Sequence, residues 1–276
     1  MTRSGLYLAA LAALATGATQ ARAAEAQAPD VHEVAPGAWV LFGKNCNVVI
    51  VPGPEGALIV DDEGPRDYDE VMAAVRTATP QPARYVVNTH WHLDHSGGDA
   101  AFAKAGAAIV AQRNVRVRRS VEQYMPAYKA HIPAGTPESL PSLVFDNGLK
   151  LQVGGQTVVL RHVAHAHTDG DTLVLVKQAD VLHMGDVYFN GIFPFIDRAS
   201  GGGVQGLIAA VDTALAMSDA KTKIVPGHGP VATRAELKAY RDMLQDVSNK
   251  VRAGIRAKKP MAEIVAAKPA AAWRKG

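Results

Sequence analysis

Short apolar runs, most too brief for a helix, alternate along this chain with loops rich in glycine, proline and aspartate. Three such runs follow closely, at residues 38–42, 47–51 and 57–60, with Pro52-Gly53-Pro54-Glu55-Gly56 as the turn between the last two. That spacing predicts a meander of strands. Residues 67–77 predict a helix that stops before Pro80, with Asp69 placed to cap it. Helices at 99–105 and 112–124 are expected on either side of a strand at 108–110. The second half continues with strands at 149–153, 157–163, 172–177 and 181–184, a helix at 204–217, a strand at 223–226 and a helix at 233–257. No internal repeat divides this alternation.

Two stretches break the pattern. Residues 124–141 contain Pro126, Pro133, Pro137 and Pro141, which prevents a continuous helix and predicts a lid or crossing loop. Gly191-Ile192-Phe193-Pro194-Phe195-Ile196 is too apolar for an ordinary exposed loop. It reads either as a wall that grips an apolar substrate group or as packing beneath a site.

The N-terminus carries a different signal. Met1-Thr2-Arg3 is a short positive start, an apolar stretch runs from Leu6 to about Ala18, and Ala21-Arg22-Ala23 supplies a cleavage pattern. Residues 1–23 are therefore expected to be a signal peptide that sends the protein to the periplasm or outside the cell. A linker at 24–35, one hydrolase-sized domain at 36–267 and a frayed tail at 268–276 complete the organisation. No second long apolar run is present, so no stable membrane insertion is expected after processing. The one cysteine, Cys46, excludes an internal disulfide and reads as a small buried strand residue.

Composition narrows the class without naming a chemistry. The 276 residues are 48% hydrophobic and 20% charged, enough for one large core. The net charge of +3 is small. Arg113, Arg116, Arg118 and Arg119 are distributed around more than one helix face, and Lys250, Arg252, Arg256, Lys258 and Lys259 read as a solvated helix surface. No nucleic-acid partner is expected.

The chemistry is concentrated in His90-Trp91-His92-Leu93-Asp94-His95, directly after Tyr85-Val86-Val87. In an extended or turning segment His90 and His92 point the same way and can converge on one cation, while Asp94 and His95 are offset toward a second. Matching residues recur where other predicted strands stop: His167 in His165-Ala166-His167-Thr168-Asp169, Asp186 after Val181-Leu182-His183-Met184-Gly185, and His228 in Pro226-Gly227-His228-Gly229. Imidazole and carboxylate suit divalent metals, with zinc the commonest occupant. His32, His131, His162, His165 and His183 are not expected to ligate metal; His165 and His183 are candidates for supporting a ligand.

The order His-x-His-x-Asp-His, then His, Asp and His, resembles the metallo-β-lactamase superfamily of binuclear metal hydrolases, over roughly residues 36–245. The resemblance implies an α/β fold, an αββα sandwich of two mixed β-sheets flanked by helices, with two zinc ions at one sheet edge. It implies that His90, His92 and His167 hold one ion, that Asp94, His95 and His228 hold the other, and that Asp186 bridges them. Asp61 matches an early strand-end aspartate that supports the ligand loop; a plain turn or cap is the alternative for Asp61 or Asp62. Several zinc β-lactamases have Cys or Ser where this chain has Asp186. A bridging Asp there looks more like hydroxyacylglutathione hydrolases and lactonases. Tyr188 is placed to donate to a substrate carbonyl; some lactonases carry a Tyr one residue later, where this chain has Phe189.

The implied reaction is attack by a metal-bridging hydroxide on an amide, ester or thioester carbon, with Asp94 binding the second ion and orienting the attacking group. The first expectation is a β-lactamase-like hydrolase opening a lactam in a small carbonyl substrate. A lactone, ester or thioester hydrolase comes second, and an iron-binding redox protein or metal-binding accessory stands as the alternative of another class.

Overall fold

The computed structural model describes residues 28–274, so the segment read as an export signal lies outside it. Strand β1 (Val31–Ala35) precedes β2 (Ala38–Phe42), β3 (Asn47–Val51) and β4 (Ala57–Val60), which form the expected meander. Helix α1 (Tyr68–Ala78) leads into β5 (Ala83–Val87), and the short helices α2 (Leu93–Ser96) and α3 (Asp99–Lys104) into β6 (Ala108–Gln112). Helix α4 (Arg113–Arg119), a hairpin of β7 (Gln123–Met125) and β8 (Ala130–Ile132), and β9 (Leu143–Phe145) close the first half. The second half runs β10 (Gly148–Val153), β11 (Gln156–His162), β12 (Thr172–Val176), β13 (Val181–His183), α5 (Val204–Met217), β14 (Lys223–Val225), α6 (Arg234–Arg256) and α7 (Met261–Ala266).

The strands assemble into a seven-stranded mixed sheet, β1-β2-β3-β4-β5-β6-β9, and a five-stranded mixed sheet, β10-β11-β12-β13-β14. The two-residue period of each strand sorts its side chains between layers. In β3, Val49 and Val51 enter the inter-sheet core with Leu58, Val87, Val158, Leu160 and Val174, while Val48 and Ile50 face the α1/α3 side with Val71, Val75 and Phe102. Likewise Val174 and Val181 face the first sheet, whereas Leu173 and Leu182 pack with Leu207, Val211, Leu237 and Leu244 of α5 and α6. This is the αββα sandwich that the sequence suggested. Among the described residues no helix is long and apolar enough to cross a membrane.

Four local expectations need correction. Residues 31–35, read as linker, pair antiparallel with β2. The helix expected over 112–124 stops at Arg119, because Gln123–Met125 pairs with Ala130–Ile132. Asp69 does not cap α1: Asp67 holds the N-cap position, and its side chain makes no capping hydrogen bond. The tail is anchored at Trp273, which packs against the α5/α6 core and donates its Nε1–H to Asp246 Oδ2 at 2.7 Å. The proline-rich stretch does carry the β7–β8 hairpin across the site.

Three arginines of α4 are engaged by hydrogen bonds, and the fourth is buried. Arg113 pairs with Asp146, Arg118 grips Asp169 through two bonds of 2.6 and 2.7 Å, Arg116 donates to the Pro141 carbonyl, and Arg119 is buried. No basic surface stripe remains on that helix.

Candidate metal centre

The four motif loops leave their strands at one edge of the sandwich. Asn88 to His92 follows β5, the His167 loop joins β11 to β12, Asp186 stands in a single 3₁₀ turn after β13, and His228 follows β14. Parallel pairing of β13 with β14 sets Asp186 and His228 side by side. Gly227 permits the approach, since a Cβ there would collide with Asp186 Oδ1. Gly185 takes φ +49°, a left-handed conformation that glycine adopts without a Cβ clash. Asn47 then pins the His228 loop, donating its Nδ2 hydrogens to the carbonyls of Pro226 at 2.9 Å and Gly229 at 2.8 Å.

The seven residues singled out from the sequence converge as two donor sets. His90 Nε2 and His167 Nε2 lie 3.1 and 2.9 Å from His92 Nδ1, and Asp186 Oδ2 is 3.5 Å from His167 Nε2 and 4.0 Å from His90 Nε2. On the other side, His95 Nε2 and His228 Nε2 each stand 3.2 Å from Asp186 Oδ1 and 3.4 Å from Asp94 Oδ2. Asp186 thus offers one oxygen to each set. Two nitrogens sharing a zinc ion at about 2.0–2.1 Å would be roughly 3.3 Å apart in tetrahedral geometry. The observed spacings fit that demand.

The outer hydrogen bonds determine which lone pairs face inward. Thr89 Oγ1 donates to Asp61 Oδ2 at 2.9 Å, so it accepts from His90 Nδ1 at 3.1 Å. His92 Nε2 donates to Asp197 Oδ2 at 3.0 Å, His95 Nδ1 to Asp61 Oδ2 at 2.8 Å, and His167 Nδ1 to the Phe195 carbonyl at 2.9 Å. Each of these four imidazoles directs one N–H outward, and at His90, His92 and His167 the nitrogen that faces inward is an acceptor among acceptors. Asp186 Oδ1, fully enclosed, accepts no hydrogen bond. Acceptors facing acceptors in a buried space repel unless a cation lies among them, so this donor set fits metal ions.

Electrostatics agree. Burial, together with the nearby His95 and His167, holds the His90 imidazole well below its ordinary value, and burial also lowers His92. Burial opposes ionisation of Asp186, but His95 and His167 outweigh it and hold the carboxyl well below the usual range. At His228, burial works against protonation, yet Asp186 and Asp94 raise the imidazole to about 9. Protons therefore occupy the second set when no cation does, and metal must compete with them.

Asp197 was not visible in the sequence. It is buried in the loop after the apolar stretch and also accepts from the Ser200 hydroxyl at 2.5 Å and the Ala199 amide at 3.0 Å. Asp197→Ala would free the His92 ring to turn. Its affinity for the first cation is expected to fall by about 10- to 100-fold in a competitive chelator titration. An unchanged affinity would refute the role. Asp61 acts as the sequence suggested, accepting from His95, the Thr89 hydroxyl and the Thr89 amide. Cys46 lies in a cluster with Asp61 and His95; burial pushes its thiol up, so it stays protonated.

Other expectations divide. His183 is hydrogen-bonded in the core, to the Asn47 carbonyl and the Gly185 amide. His131 is exposed beside Glu122, and the His165 ring is hydrogen-bonded to the Gly201 carbonyl, with no hydrogen bond to a metal donor among the described residues. Tyr188 does not reach the site: the 3₁₀ turn sends its ring toward Tyr240, 4.9 Å away on α6. Phe189 occupies that place instead, stacked on His228 at 5.2 Å and 12°.

Beneath the ligand loop lies a buried acid pair. Asp62 accepts from the Gly98 amide at 2.9 Å, and Asp99 accepts from Asn88 Nδ2 at 3.0 Å. Burial and their mutual proximity raise Asp62 well above the carboxylate range, and burial raises Asp99 to about 7. The folded state binds protons here more tightly than the unfolded chain. This contribution is full below the unfolded carboxylate pKa and is lost as pH rises through about 7. Asn at position 62 would keep the Gly98 bond and donate permanently to Asp99. The Tm of Asp62→Asn minus that of the parent is expected to grow between about pH 5 and pH 8; a constant difference would exclude the shared proton.

A family model of the metallo-beta-lactamase superfamily matches residues 38–228. Among curated relatives, the chain is 23% identical over 155 residues to a coenzyme F420H(2) oxidase of Methanothermobacter marburgensis, matching 54% of this chain and 36% of that protein. It is 24% identical over 158 residues to the 2,4-dinitroanisole O-demethylase subunit alpha of a Nocardioides species, matching 55% of this chain and 44% of that protein. The chain thus spans less than half the length of either relative. Among solved structures, a metallo-beta-lactamase from Pontibacter korlensis superposes with a TM-score of 0.65 at 21% identity, covering 79% of this chain and 99% of that one. A sec-alkylsulfatase from a Pseudomonas species gives 0.66 at 18% identity, covering 86% and 45%.

Proposed function

Because the chain belongs to the metallo-β-lactamase superfamily, we propose that its two donor sets hold zinc ions and that it hydrolyses a lactam, lactone, ester or thioester carbonyl of a small molecule. The observation that carries this reading is the shared Asp186, one oxygen directed to each set. Bound there, divalent cations would supply a water polarised toward hydroxide at neutral pH and a Lewis acid for the carbonyl oxygen.

The chain's own residues set the rest. Asp94 and His228 are the exposed members of the donor sets and face a cavity of about 500 Å³ with Trp91, His92 and Phe189. His95 holds the Asp94 carboxyl well below its usual range against the opposing effect of burial, so it stays ionised and can only accept. A water donating to it would have a lone pair free to attack a carbonyl above the site. The water oxygen adds to the carbonyl carbon as the water gives up a proton, the C–N, C–O or C–S bond breaks, and that proton passes to the departing atom. No side-chain nucleophile is required.

Zinc-loaded protein is expected to turn over at least one of benzylpenicillin, a carbapenem, an acyl-lactone and a thioester, with loss on chelation and recovery on adding zinc. Failure with the whole panel, or activity indifferent to chelation, would sink the reading. The name of the oxidase relative supports a second reading, a redox role, for which we propose that the same donors hold iron. Iron in native protein together with oxygen consumption would decide for it. We also propose that residues 1–23 direct export; mature protein should then begin at Ala24, and retention of Met1 would refute this.

A further inference from the structure

The cavity over the metal donors has charge only at its floor. Its outer walls are Met125, Tyr128 and Ile132 of the β7–β8 hairpin on one side, and Ile192, Phe193 and Phe195 on the other. Among the described residues no lysine or arginine lines it. At the rim three large apolar side chains face solvent: Tyr128 is 66% exposed, Ile192 59% and Phe193 46%. They come from two separate segments, and the Tyr128 and Phe195 rings approach to 5.7 Å across the gap. Apolar groups held in water from two directions around one opening gain by covering something apolar.

We infer that the substrate is uncharged beyond its reacting carbonyl and carries an aryl or alkyl group seated between the Tyr128 hairpin and the Phe193 loop. This rests on the hydrolase reading and deepens it. Low-dielectric walls without a cationic partner penalise a carboxylate at that position, since its water is removed and nothing replaces it. The one basic side chain at the hairpin tip, Lys129, lies outside the lining. Phe193 and Tyr128 are then specificity-determining residues, while the floor residues perform the chemistry.

Matched pairs isolate the point. Benzylpenicillin and its methyl ester differ only in a carboxylate, as do p-nitrophenyl hexanoate and the mono-p-nitrophenyl ester of adipic acid. With zinc-loaded protein the neutral member of at least one pair is expected to have a kcat/KM more than about tenfold higher. Across p-nitrophenyl acetate, butyrate and hexanoate, kcat/KM should rise up to about three- to fourfold per methylene seated. Phe193→Asp should abolish that rise. Equal turnover within the pairs, a flat chain-length series, or a specific loss of the charged substrates in Lys129→Ala would overturn the inference. A binding arm separates it from the hydrolase reading. Nitrobenzene, followed by quenching of tryptophan fluorescence, should bind the zinc-loaded parent saturably and at least about tenfold more weakly to Phe193→Asp. Should no ester be hydrolysed while nitrobenzene still binds in this way, the pocket assignment stands and the hydrolase reading falls; absence of saturable binding removes the pocket assignment itself.

Discussion

Replacing Asp186 by Ala is expected to strip both cations from the protein at once. The two oxygens of this carboxylate serve different donor sets, 3.5 Å from His167 Nε2 on one side and 3.2 Å from His95 Nε2 and His228 Nε2 on the other. No other carboxylate among the seven donors reaches both. A cation that binds only the folded chain stabilises it by mass action, about 4 kcal/mol when its free concentration is a thousand times Kd. For a domain of this size each kcal/mol corresponds to about 2–4 °C in Tm. With both cations gone, about 8 kcal/mol in all, the variant should therefore melt on the order of 20 °C below the zinc-loaded parent, contain no tightly held metal by elemental analysis, and show no further decrease with chelator. Its far-UV circular dichroism should match the parent, because the inter-sheet and helix–sheet cores contain none of the donors. Two retained equivalents of metal would exclude the bridging assignment.

How well each element could be read from the sequence followed how much of its pattern was its own. β2, β3 and β4 are short apolar runs between turn residues, almost fully buried, and their bounds coincide with the reading; so do those of α5. β1 is partly exposed and alternates imperfectly, and β7, β8 and β9 are three residues each, so what makes them strands is their partner and not their composition. The metal donors were legible for a different reason. The donors here are histidines and carboxylates, and they stand in the loops where strands release the chain, so residue type and place reinforce each other. Asp197 and Asn47 obey no such spacing: a hydrogen bond to a ligand ring or a loop carbonyl can come from any neighbouring segment. The misplacement of Tyr188 has a conformational cause. The 3₁₀ turn at Gly185–Val187 rotates the next ring toward α6. The apolar stretch at 191–196 divides between its two readings: Ile192, Phe193 and Phe195 line the cavity, while Ile196 packs against the α5/α6 core and Phe195 also against the Trp91 cluster.

Asp94→Ala should separate chemistry from binding. Asp94 is the most solvent-accessible of the seven donors, its side chain 38% exposed against 24% for His228, and it lines the cavity over the site. One oxygen lies 3.4 Å from both His95 Nε2 and His228 Nε2, which leaves the carboxylate able to accept from a water on the cavity side. The variant loses one donor of the second set and, with it, the group that orients the attacking water. We expect kcat to fall by about 10³-fold or more, within the range for a positioned acid–base group. KM should change by less than about tenfold, because the apolar walls that hold the substrate are untouched. Metal content should drop toward one equivalent, held by His90, His92, His167 and Asp186, so that added zinc restores little activity. Asp94→Asn distinguishes the two functions of the side chain: its amide keeps the volume and an oxygen, but loses the charge that balances His95 and His228. If Asp94→Asn binds two equivalents and still loses most of kcat, orienting the water is the larger role; if it recovers turnover along with the second ion, holding that ion is. Near-normal kcat in Asp94→Ala would remove Asp94 from the reaction altogether.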